Sequence, residues 1–199
     1  MGEWDDYQVM SQEDLDTSEM AAREEFLRRN PPVTGLVVPE DLRKIELIKR
    51  PWRNNKGMWF DLADNKVIQA HLAEIPPGGK TTRHRHTTEA YIYIVKGAGY
   101  STVNYEGEPE ERVEWSEGTL LSVPVWSWHQ HFNTDPGDVA RYLAIQDTGL
   151  VRHMRLHRIE RHPSQKKVGE GTDYNVEAAP AAAREAGAAG VTLEADEWD

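Results

Sequence analysis

Four of the chain's eight histidines stand in two His-x-His pairs, His84 with His86 and His129 with His131. In an extended strand, residues two apart project to the same face, so each pair offers two imidazoles side by side. The first pair closes the run Gly78-Gly79-Lys80-Thr81-Thr82-Arg83-His84-Arg85-His86. The second lies in Trp128-His129-Gln130-His131-Phe132-Asn133, downstream of Gly118 and Pro124. A single such pair is compatible with a polar exposed strand. Two pairs, each following a glycine turn, point to one shared metal ion. Imidazole suits Fe(II), and it also suits Zn, Ni, Mn and Cu, so the ligand type leaves the metal open.

These pairs need a rigid frame, and the sequence around them supplies short strands. Segments 58–62, 66–75, 90–95, 100–105, 111–115, 119–123 and 139–146 are β-rich, with Gly or Pro turn signals between most of them. This spacing predicts an all-β sandwich or barrel. Ahead of it, a helix is predicted over about residues 18–29, with Ser18 as N-cap and Asn30-Pro31-Pro32 as the stop. Its apolar stripe of Met20, Phe26 and Leu27 is thin, so it should pack on a larger body. A further helical turn is expected from Pro39-Glu40-Asp41. The organisation read from these signals is a helical and extended arm (1–56), a β-barrel (57–162) and an acidic, Ala-rich tail (163–199), flexible or docked on the body.

The net charge of −11 is unevenly spread. Residues 1–20 contribute −7 and residues 163–199 contribute −5, leaving the middle at +1. A nucleic-acid binder would carry an excess of basic residues on its body, which this chain lacks. With no cysteine, thiolate metal sites, disulfides and cysteine nucleophiles are excluded. The acidic start lacks the basic and apolar regions of a signal peptide, so a soluble cytoplasmic protein is expected. Arg152, Arg155, Arg158 and Arg161 recur every third residue and read as a solvated basic face, or as a dock for an acidic terminus.

The two histidine runs resemble the motifs of the cupin superfamily over about residues 57–147. Gly78, His84, His86 and Gly97 fit the first motif; Gly118, Pro124, His129 and Asn133 fit the second. The resemblance implies an all-β, cupin-type antiparallel jelly-roll β-barrel, here with short N-terminal helices and a metal in its mouth. Trp126 replaces the second motif's later glycine and should crowd the approach to the site. Ala90 occupies the position of the usual glutamate ligand, with Glu89 beside it. A shift of one residue turns a side chain to the other face, so Ala90, Ile92 and Ile94 should face inward and Glu89, Tyr91 and Tyr93 outward.

The run His-Arg-His-Thr, the Ala that follows, and the Trp-x-His-x-His closing motif look like the gentisate and salicylate dioxygenase branch of cupins. That resemblance implies Fe(II) on His84, His86 and His129, with His131 near the substrate. Ile92 stands where that branch carries an arginine for the substrate carboxylate. The expected substrate therefore binds the metal through two oxygens and carries little other charge. Ile92, Ile94, Trp126 and Trp128 are expected as its apolar pocket wall. His131 is expected to take a proton from it, with a pKa near neutrality.

The leading function is an Fe(II) dioxygenase using dioxygen on a small aromatic or enolic molecule. The alternatives are a non-redox metal-dependent isomerase, decarboxylase or lyase, and a non-catalytic small-ligand-binding barrel. A homodimer is expected through the outward tyrosines, with neither nucleic acid nor membrane as partner.

Overall fold

The computed structural model describes residues 18–50, 53 and 55–165. Helix α1 (Ser18–Arg29) leads into β1 (Val33–Gly35), β2 (Ile48–Arg50), β3 (Asn55–Leu62), β4 (Gln69–Ile75), β5 (His84–His86) and β6 (Ala90–Lys96). Then come β7 (Ala98–Asn104), β8 (Glu111–Ser116), β9 (Leu120–Val123), β10 (Trp128–Asn133), β11 (Ala140–Gln146), α2 (Thr148–His153) and β12 (Ile159–Arg161). A seven-stranded sheet runs β1-β3-β4-β11-β6-β9 with β2 on β3, and a five-stranded sheet runs β12-β5-β10-β7-β8. Pairing is antiparallel apart from β1, which lies parallel to β3. This is the all-β, two-sheet arrangement that the strand spacing predicted, and it agrees with the jelly-roll type that the cupin resemblance implied.

The inner faces meet over Ala73, Ile75, Ala90, Ile92, Ile94, Trp115, Val123, Ala140, Tyr142 and Ala144. Strand β6 shows why its sequence lies this way. Ala90, Ile92 and Ile94 are 4%, 3% and 1% exposed, whereas Tyr91 and Tyr93 are 60% and 43% exposed. Removing the inward set from water stabilises the sandwich, at about 25 cal/mol per Å² of apolar surface. Gly97 ends β6 at φ 86°, where a Cβ would stand 3.0 Å from the Ala140 Cα, so both conformation and space call for glycine.

The outer face of the larger sheet is covered by the N-terminal segment. Val33 and Leu47, with Val38, Leu42 and Ile45, pack on Met58, Phe60, Leu72 and Leu143. A buried ion pair fastens this layer. Arg141 donates to Glu74 through Nε (2.8 Å), and its Nη1 reaches the carbonyls of Leu42 (3.0 Å) and Ile45 (2.9 Å). The expected turn at 39–41 is present as a single turn, where the amides of Lys44 and Ile45 return to the Asp41 carbonyl.

Helix α1 stops where Asn30 donates both its backbone N–H (2.8 Å) and its side-chain amide (3.0 Å) to the Phe26 carbonyl. Its Ala22 and Phe26 pack against Ile48 and Trp59. The arginine periodicity does not make a long helix: α2 ends at His153 and Arg155 takes φ 61°. Arg152, Arg155 and Arg158 are exposed, while Arg161 is buried in β12. No helix among the described residues is long and apolar enough to cross a membrane. The acidic tail lies outside the described residues, apart from its first three positions.

Candidate metal centre

Strands β5 and β10 lie side by side in the smaller sheet, with His129 directly opposite His84. Alternation then turns His84, His86, His129 and His131 to the inner face, and all four are buried. The ligand nitrogens of His84, His86 and His129 lie within 4.8 Å of one another. Small ring rotations bring such a trio to the roughly 2.0–2.1 Å of an imidazole–metal bond.

The same tautomer is imposed on each of the three. The Nδ1–H of His84 donates to the Thr82 carbonyl, that of His86 to the Thr88 carbonyl, and that of His129 to the Ser127 carbonyl, each at 2.9 Å. A carbonyl oxygen can only accept, so Nδ1 carries the proton and Nε2 keeps its lone pair for a metal. Burial, reinforced by the Arg53 charge, holds His86 down to about 4 and His84 well below the usual histidine range, so both rings are neutral. A buried trio of neutral imidazoles fits a divalent ion.

Glu89 is exposed, and its backbone N–H is held by Asp147 Oδ1 at 3.0 Å. Strand β6 pairs with β9 and β11 without a bulge near this residue; its one register shift lies at Arg141/Tyr142. Glu89 therefore stays outside, as alternation predicted.

The cavity lined by the three histidines measures about 60 Å³. Its wall includes Ile92, but Ile94, Trp126 and Trp128 do not line it, contrary to the expected pocket. Ile94 lies deeper, in the core between the sheets. Trp128 neighbours His129 on a strand, so the alternation that turns the histidine in turns the indole out. There the Arg85 guanidinium sits 4.2 Å from the Trp128 ring centroid and 4.5 Å from that of Trp126. The Trp128 Nε1–H donates to Glu106 (2.7 Å), and Arg85 is held in turn by Glu160 (2.7 Å). Trp126 thus does not crowd the site. It does occupy φ 63°, which explains why a glycine suits this position and marks a strained turn.

What lines the cavity instead was not legible as a motif. Arg23 from α1, Arg50 from β2 and Arg53 reach it alongside Trp59, His71, Tyr142, Gln146 and His157. Arg23 donates to Gln69 at 2.8 Å and lies over Trp59, as does Arg50. Burial, then the charges of Arg152 and Arg53, lower the Arg23 guanidinium to about 9. Among the described lining residues there is no Asp or Glu. The expected wall of low charge is therefore replaced by a cationic one. His71 was the readable member, since it is two residues from the inward Ala73.

His131 also differs from expectation. Burial pushes it down to about 3, not near neutrality, which disfavours its protonated form.

A family profile described as Cupin domain matches residues 71–146. A 5-aminosalicylate 1,2-dioxygenase from Comamonas sp is 30% identical over 99 residues, covering 47% of this chain and 24% of that protein. Auxin-binding protein 4 of Zea mays is 32% identical over 85 residues, covering 40% and 41%. A salicylate 1,2-dioxygenase structure from Pseudaminobacter salicylatoxidans superposes with TM-score 0.44 at 23% identity, over 49% of this chain and 27% of that one. The chain spans about a quarter of the length of the dioxygenase relative it matches.

Proposed function

We propose that this chain, whose residues 71–146 match a cupin-domain profile, is a mononuclear Fe(II) dioxygenase acting on a small aromatic or enolic molecule that bears a carboxylate. The observation that carries this reading is the cavity wall: a neutral three-histidine trio shares it with three arginines and, among the described residues, no carboxylate. A dication held by three neutral ligands favours an anionic ligand, and arginines in the same wall have the charge to help hold one. The similarity to a dioxygenase for a salicylate supports the same class.

His84, His86 and His129 would hold the iron. Bound there, it would supply the one-electron chemistry that couples dioxygen to a ring or enolate. The protein's own part is binding and orientation. The arginines that share this wall, Arg53 among them, are assigned to the substrate carboxylate, because guanidinium groups match carboxylates in charge and geometry. Ile92, Ala90, Ala144 and Ile159 provide an apolar wall for a flat molecule and limit water.

The test is oxygen uptake by iron-loaded protein with matched pairs that differ by a carboxylate, such as salicylate with phenol and gentisate with hydroquinone. The carboxylated member should be preferred, and Arg53→Met should erase that preference by raising its KM roughly 10–100-fold, the worth of a charged hydrogen bond. Equal handling of both members by the unaltered enzyme would remove the carboxylate from the reading.

A further inference from the structure

His129 and His131 stand two residues apart on one strand, yet their Nδ1 atoms meet different partners. His129 faces a carbonyl at Ser127, whereas His131 Nδ1 lies 2.7 Å from the Ser101 hydroxyl. Ser101 is directly opposite His131 in the β7–β10 pair and is fully buried. Its oxygen also accepts the Trp115 Nε1–H at 3.0 Å. An indole N–H can only donate, so that bond occupies the serine as an acceptor and leaves its single proton to be placed. His131 Nδ1 is the acceptor that the hydrogen-bond geometry gives that proton, and a buried hydroxyl left without one is costly. The chain of donors thus runs from Trp115 to Ser101 to His131 Nδ1.

We propose that Trp115 and Ser101 are positioning residues that lock His131 as its Nε2–H tautomer, so that it meets the cavity as a hydrogen-bond donor. The three putting their lone pairs toward the metal carry the opposite tautomer. A neutral imidazole has one N–H and one lone pair, and here the lone pair is consumed by Ser101. His131 is then neither a fourth metal ligand through Nε2 nor a base, and it offers its proton to an anionic oxygen of whatever occupies the cavity it lines. This consequence for the substrate rests on the function proposed above; the tautomer does not. Space for the relay is set aside in the fold. A Cβ at Gly99 would lie 2.5 Å from Trp115 Cη2 and 1.9 Å from the Phe132 carbonyl oxygen, so glycine lets the indole pass over β7 to reach Ser101.

The test is a long-range 1H–15N spectrum of uniformly 15N-labelled protein loaded with Zn(II) alone, with His131 assigned by the His131→Asn variant. The expected spectrum shows a protonated Nδ1 for His84, His86 and His129, and a protonated Nε2 with a bare Nδ1 for His131. A protonated Nδ1 on His131 overturns the proposal. Ser101→Ala should keep its zinc but lose the single-tautomer signature of His131. An unchanged Nε2–H form in that variant would also overturn it, and if the variant does not fold the wild-type spectrum decides alone. Absence of oxygen chemistry would leave these spectra untouched, so the two ideas fail separately.

Discussion

His129→Ala protein is expected to emerge from metal loading with essentially no bound ion, and His84→Ala and His86→Ala likewise, while Glu89→Ala retains full stoichiometry. Each of the three histidines is buried, neutral and oriented by a backbone carbonyl, so none has a substitute within the cluster. Losing an outer partner of a ligand typically costs about 10–100-fold in metal affinity, and losing the ligand itself should exceed that. Glu89, the residue before β6, is exposed and directed away from the trio, so no loss is expected. Metal analysis after gel filtration reads all four variants. Loss of the ion from Glu89→Ala would show that β6 rearranges on metal binding, and retention by His129→Ala would remove the proposed centre.

Acid should unfold the metal-free protein sharply. In the folded state burial lowers His86 to about 4 and His131 to about 3, against a usual value near 6.5. Between these limits the unfolded chain binds more protons than the folded one, so stability rises with pH. The contribution is fully present above about pH 6.5 and is lost progressively as pH falls below it. At pH 5 each ring costs about 2 kcal/mol, together about 4 kcal/mol, a large part of an ordinary domain's stability. His84, His129, His71 and His157 shift in the same direction and steepen the loss. Urea titrations at pH 7.5 and pH 5 should therefore give well-separated midpoints. Coincident midpoints would mean that the histidines are solvated in the metal-free protein.

The strand rule of period two explains both what could be read from the sequence and where the reading failed. It turned His84, His86, His129 and His131 inward together and placed Ala90 inside and Glu89 outside. Applied to the tryptophans it would have excluded Trp128 from the pocket, because that residue is one step from His129. Grouping residues by apolar character instead of by face produced that error. The arginines could not be found in this way. Arg23, Arg50 and Arg53 come from a helix, an added strand and the segment after it, and they meet only because α1 and β2 pack on Trp59. Neither could the state of His131 be read, since Ser101 and Trp115 reach it through strand pairing across the sheet. The helix at 18–29 was readable because its stop and composition are local, although Ser18, expected as its N-cap, is the first helical residue.

The most direct test of the central claim is the oxygen requirement of the iron-loaded protein. Protein loaded anaerobically with Fe(II) and given a carboxylated hydroxyaromatic should consume dioxygen and substrate in equal amounts, with no turnover when zinc replaces iron or oxygen is withheld. Equal turnover with zinc and without oxygen would contradict the claim and put Lewis-acid chemistry at His84, His86 and His129 in its place.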